Sequence, residues 1–175
     1  MSNIINIEMV FDTQTILNKY PGPSQNSSQP TGIAHQDVYM VAESRFVTGG
    51  QASADLAVKA EVDDVIRWRA LSLSSNVSQS VIVYKIQKFS GSQVTSIPVP
   101  TESRPWVPIP NQDADKVVDP LNYTAQQIPN YYLGCNVTDT GTENYQVWFY
   151  ITEQVSGNQV KTLGYFYWDP VIQVS

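Results

Sequence analysis

The sequence holds one cysteine, Cys135, and one histidine, His35, among 175 residues. A single cysteine excludes an intrachain disulfide and points to a reducing compartment, or to a fold that needs no staple. One cysteine with one histidine also excludes the usual zinc sets. Charge is scarce: charged residues make up 15% of the chain, against the ~25% usual for soluble domains. Ten Lys and Arg face sixteen Asp and Glu, for a net charge of -6. No basic patch is available for nucleic acid or an anionic membrane. No apolar run approaches the ~20 residues of a membrane span. Met1-Ser2-Asn3 runs into a strand pattern without a basic n-region, so no signal peptide is expected and the localisation expected is cytoplasmic. There is no Gly-rich phosphate loop and no nucleophile elbow. Cys135 lies in an apolar stretch and reads as a small buried hydrophobe. The chain is therefore read as non-enzymatic.

Hydrophobic residues reach 42% of the chain, and Ser, Thr, Asn and Gln stand in for the missing charge. Most of it alternates with the period of a strand. In residues 4–12, Ile5, Ile7, Met9 and Phe11 face one way. Thr13 to Tyr20 suggest one helical turn, and a long polar loop with Pro21, Gly22, Pro23 and Pro30 follows. Residues 38–43 read as a short apolar strand, and alternation is clear from Gln51 to Val62. A strand from Val65 sets Ile66 and Trp68 against Arg67 and Arg69. In the next, over 80–89, Val81 and Val83 oppose Ile82, Tyr84 and Ile86. Residues 97–130 carry seven of the eleven prolines and read as an ordered, extended connection. Strand character returns at Tyr131–Cys135 and over 144–153. The chain then turns at Val155–Gln159 into Gly164-Tyr165-Phe166-Tyr167-Trp168-Asp169-Pro170. That aromatic run places Phe166 and Trp168 on one face and Tyr165 and Tyr167 on the other. It reads as a central strand covered on both sides, whose pairing weakens at Pro170. The pattern predicts an all-β, antiparallel β-sandwich of jelly-roll type, one domain over residues 1–175, with a closed barrel as the alternative. Trp68, Trp148 and Trp168 are expected in the core. The aromatic excess favours at least a homodimer.

Oxygen donors are plentiful in the turns: Asp12, Asp37, Asn76, Asp139, Glu153, Ser156, Asn158 and Asp169. Such side chains suit a hard cation, and they are also what turns use for local hydrogen bonds.

Four stretches resemble the AidA/PixA inclusion body protein family: IINIEMVFDTQTIL at the start, Val65–Arg69 with Leu71–Ser74, Tyr20 to Ile33, and the closing GYFYWDPVI. The resemblance spans nearly the whole chain. It implies a bacterial protein accumulated as cytoplasmic crystalline inclusions. Two departures stand out. Only Met1, Met9 and Met40 are methionine, unlike the methionine-rich members, and Asp63-Asp64 stands where the family more often has Gly-Asp. Asp64-Val65-Ile66 and the hairpin from Thr152 to Asn158 also look like elements of the small calcium-dependent galactose-binding bacterial lectins, with Glu153 where those have Asp. These resemblances imply a lectin stored in inclusions, or a structural protein that self-assembles without ligand. In the lectin reading, Glu153, Ser156, Asn158 and Asp12 hold calcium, and His35, Gln36, Asp37 and Asn76 contact a galactose-type glycan.

Overall fold

The structure, a computed structural model, describes residues 2–174. In chain order its elements are β1 (Ile4–Phe11), α1 (Thr13–Lys19), β2 (Thr31–Gly32), β3 (Val38–Val41), β4 (Val47–Gly49), β5 (Ala57–Val58), β6 (Val65–Ser72), β7 (Gln79–Gly91), β8 (Val99–Ser103), β9 (Trp106–Gln112), β10 (Val118–Gln127), β11 (Asn130–Asn136), β12 (Gly141–Ser156), β13 (Gln159–Trp168) and β14 (Val171–Val174). The chain divides into two compact units: residues 1–100 with 132–175, and residues 101–131.

The larger unit is a sandwich of two open sheets. The first runs β3-β1-β6-β11. Its inner face carries Ile5, Ile7, Met9 and Phe11 of β1 beside Val38, Met40, Ile66, Trp68, Leu133 and Cys135, all buried. The alternation read from residues 4–12 thus translates directly into burial. The second sheet is built on β12, with β7 on one side and β13, then β14, on the other. Its inner face carries Val81, Val83, Tyr145, Val147, Phe149, Ile151, Phe166 and Trp168. Rings interlock across the interface, with centroids of Phe11 and Phe149 4.6 Å apart and of Phe11 and Trp168 5.3 Å apart.

Several expectations need correction. The aromatic strand β13 is not the centre of its sheet; the longer β12 is, because it carries long ladders on both edges, whereas β13 has only the two-residue β2 on its far edge. Pro170 does interrupt pairing, since β13 ends at Trp168 and β14 begins at Val171. The first sheet is not wholly antiparallel. β1 and β6 run parallel over eight residue pairs, and the long connection between them supplies the crossover that parallel strands require. β2 also pairs parallel with β13.

Ile86 shares the inner face with Val81 and Val83, because Tyr84 is an extra residue between the pairs Phe149–Val83 and Trp148–Lys85. That bulge reverses the facing of the residues after it, as far as a second extra residue at Phe89. Trp148 is only half-buried. It lies on the outer face with Tyr84, Tyr150, Tyr165 and Tyr167, and the Lys85 ammonium stands 4.2 Å above its ring. The loop after α1 lies on this face: the Tyr84 hydroxyl donates to the Ser27 carbonyl at 2.8 Å, and any side chain at Gly164 would collide with Pro23. From Gln51 to Val62 the alternation is real, with Ala54, Leu56, Val58 and Ala60 buried, yet only Ala57–Val58 join a ladder. Asp63 has φ +76°. That left-handed turn explains why glycine suits this place, and aspartate is among the few other residues that tolerate it.

Candidate functional site

Asp12, Asn76 and Glu153 do come to one end of the sandwich. Phe11 pairs with Ser72, the Ser72 hydroxyl donates to the Gln79 carbonyl at 2.6 Å, and Gln79 pairs with Glu153. Each side chain there has a local task. The Asp12 carboxylate caps α1 by accepting the Thr15 N–H at 3.1 Å. Asn76, at φ +57°, accepts the Ser72 N–H at 3.1 Å and closes the β6–β7 turn. Glu153 is exposed opposite Lys161. Ser156 and Gln159 pair across a two-residue turn of Gly157 and Asn158, so the hairpin tip is tight and offers no irregular loop to wrap a cation. Among the described residues no three His, Cys, Asp or Glu side chains gather as metal ligands would. The donors present do not fit a calcium cradle of six to eight oxygens.

Asp37 is buried and engaged: the Lys19 ammonium donates to both of its oxygens, at 2.8 and 2.9 Å. That contact, ahead of a small opposing effect of burial on the amine, holds the Lys19 pKa above its ordinary value. Asp64 is buried as well. Burial alone would raise its carboxyl, but the N–H groups of Glu61 and Asn3 and the Asn3 amide outweigh this and hold it below its usual range. It receives Asn3 N–H at 2.6 Å and Glu61 N–H at 2.9 Å, so it serves the turn rather than a ligand. Arg69 lies 3.6 Å from Glu8 and Arg67 stacks on Tyr132, so neither arginine serves Asp64. Cys135 is buried beneath the sheet, and burial pushes its thiol up to about 12, which leaves it protonated and unreactive at neutral pH.

His35 and Gln36 are placed differently. They line a shallow groove of about 270 Å³ with Tyr39, Ser53 and Asp55. The imidazole spans two carboxylates, with Nδ1 2.8 Å from Asp55 and Nε2 3.3 Å from Asp169. The two nitrogens point away from each other, so this is a clasp between segments and not a chelate. Asp55 is 20 positions and Asp169 134 positions from His35, and no local signal joins them.

The 101–131 unit holds a surface the sequence reading left unassigned. β9 and β10 pair with Trp106 opposite Gln127, Pro108 opposite Ala125 and Pro110 opposite Tyr123. Directly opposed residues share a face. One face therefore carries Trp106, Pro108, Pro110, Tyr123 and Ala125, all exposed. Trp106 is 69% exposed, Tyr123 64%, and Leu121 in the bulge 92%. On the other face Asn111 donates to Asn122 at 3.0 Å and accepts the Thr124 hydroxyl at 2.6 Å. The signal in the sequence is proline at every second position, 108 and 110 after Trp106. Proline lacks an N–H, so these two positions cannot donate to a ladder on either side, and the outer edge of β9 is blunted against strand addition. What the ribbon offers a partner is its face.

No helix among the described residues is long and apolar enough to cross a membrane. The family model for PixA, described as inclusion body protein, matches residues 3–174. The crystal structure of an inclusion body protein from Burkholderia cenocepacia J2315 is similar, with a TM-score of 0.78 at 22% identity, covering 100% of this chain and 97% of that one. At that identity the likeness speaks for the fold. A cysteine protease inhibitor from Entamoeba histolytica, EhICP2, aligns at 11% identity over 68% of this chain and 86% of its own, with a TM-score of 0.22 that carries no argument. No curated protein matches the chain.

Proposed function

The chain belongs to the PixA inclusion body protein family, and from that premise we propose that it is a structural protein whose copies pack into cytoplasmic inclusions through the apolar face of the β9–β10 ribbon. The observation that carries this is the row Trp106, Pro108, Pro110, Tyr123 and Ala125, exposed together on one face. Each large aromatic or aliphatic side chain buried this way removes up to ~150–250 Å² from water, so two ribbons laid face to face bury on the order of 1,000 Å², the lower end of specific interfaces. The sparse charge of the chain opposes such packing little. Sedimentation tests it. The wild type should run heavier than its 19.5 kDa, as a dimer or larger. The double substitution Trp106→Asp with Tyr123→Asp should return it to monomer with unchanged circular dichroism and clear the inclusions from expressing cells. A double variant that sediments like the wild type removes the ribbon from the assembly.

A second reading, a lectin stored in the same inclusions, is favoured by the groove at His35. An exposed tyrosine, an amide, a hydroxyl and a carboxylate are the groups that hold a sugar ring by its apolar face and its hydroxyls. Calorimetry against galactose-type glycans decides it, and a chelator arm tells whether calcium takes part. Binding lost in His35→Ala keeps the reading; no heat from any glycan ends it.

A further inference from the structure

Where the two sheets part beside β7, a cleft of about 410 Å³ opens into the larger unit. That volume lies within the usual range of small-molecule sites, roughly 300–1,000 Å³. Its origin is the bulge at Tyr84. Without that extra residue, Ile86 and Lys88 would face outward. With it, they stand opposite Val147 and Tyr145, on the side of β7 that looks toward the other sheet. Leu133 of β11 forms the facing wall. The third wall is the segment after β7, with Gln93, Ile97 and Pro98.

This third wall is held from beneath. The buried Glu143 carboxylate accepts the N–H groups of Val94 at 2.9 Å and Thr95 at 3.1 Å, together with the Thr95 hydroxyl at 3.2 Å. Ser96 N–H donates to Asn136 and Thr138 N–H to Val94. The Gln93 amide turns back onto the Thr95 carbonyl. The cleft is thus a formed feature, and Glu143, though it lines it, already has its hydrogen bonds.

We propose that this cleft binds a small amphiphile with an apolar body and one anionic head. Ile86, Leu133, Ile97 and Pro98 take the body. The head goes to the Lys88 ammonium, which is exposed and has no carboxylate within ion-pair distance among the described residues. Lys85 also lines the cleft, but its ammonium is committed to the Trp148 ring, 4.2 Å from its centroid. Ile97 is 80% exposed, an open apolar side chain at the rim that such a ligand would cover.

The probes are decanoate and 1-decanol, which share a chain and differ in the head. Calorimetry on the full chain should show saturable binding of decanoate, with the alcohol several-fold weaker. Lys88→Ala should cost decanoate about fivefold, the worth of one exposed charge pair, and leave the alcohol unchanged. Ile97→Asp should weaken both by about tenfold or more. Both side chains are exposed, so neither change threatens the fold. Hydrogen exchange should slow over residues 92–98 when decanoate binds. Protection confined to residues 106–125 would move the ligand to the ribbon and overturn the assignment. Equal affinity for acid and alcohol, unaffected by Lys88→Ala, would overturn the anionic head, and no saturable binding by either probe would overturn the site.

Discussion

β12 and β10 are both antiparallel strands with alternating side chains, and they end in opposite circumstances. From Glu143 to Ile151, β12 alternates buried and half-buried residues. β10 is exposed through all ten of its residues. The difference is not that β10 lacks a ladder, since β9 pairs with it on either side of a bulge. It lies in what covers the faces. β12 has strands on both edges and a second sheet over its inner face, whereas β10 pairs with β9 alone. A two-stranded ribbon has no second layer of its own, and isolated hairpins are marginal in water for that reason. Local order and burial are therefore separate properties. The ribbon gains the first from its ladder, its prolines and the Asn111 contacts, and in the proposed assembly the second would come from another copy.

The widest gap should appear when large side chains are removed. Phe149 touches Phe11, Phe166 and Trp168 in the core. Phe149→Ala should cost about 3–5 kcal/mol, the range for a buried phenyl group that leaves a cavity. Urea unfolding at one protein concentration measures it. A loss below 1 kcal/mol would mean the sheets close over the cavity, and the contrast with the ribbon would shrink accordingly.

The body was legible in the sequence because its signals are local. Ile5 to Phe11, Ile66 with Trp68, and Phe166 with Trp168 follow the two-residue period without interruption, and their facing is borne out. The same logic failed at Ile86, because a single extra residue inverts the facing and leaves no local mark. It placed Trp148 in the core although Gln146 and Tyr150, two residues either side, share its outer face. At the candidate site, oxygen-rich turns were found where expected, but their hydrogen bonds are spent locally at Asp12 and Asn76. The partners that make the His35 clasp lie far off in the chain and become neighbours only through the fold.

A smaller effect, and one that depends on pH, belongs to Asp64. Its folded pKa is lowered, so it contributes stability that is full above its unfolded value of about 3.9. That stability is lost as pH falls through the folded value. Asp64→Asn should cost about 2 kcal/mol at pH 7, since hydrogen bonds to a charged group are weakened and the new amide meets the Glu61 N–H as donor against donor. The difference between wild type and variant should narrow in acid, below about pH 4. Unfolding free energies from pH 7 to pH 3 check this. A gap that stays constant over that range would mean that shape, not charge, is what Asp64 contributes.

The smallest effect on stability is expected where the side chain is largest. Trp106→Ser removes an indole that is 69% exposed and has only Gln127 opposite it on the ladder. Measured in dilute solution, where copies are apart, it should change the unfolding free energy by no more than about 0.5 kcal/mol, as surface substitutions do. At high concentration the same change should lower the apparent stability of the assembled protein, because a partner bound only to the folded state stabilises it by mass action. The wild type should therefore gain melting temperature with concentration and Trp106→Ser should not. Two curves rising in parallel would show that the indole has no part in the contact. A cost of several kcal/mol in dilute solution would show that the ribbon's face is already covered by its own chain.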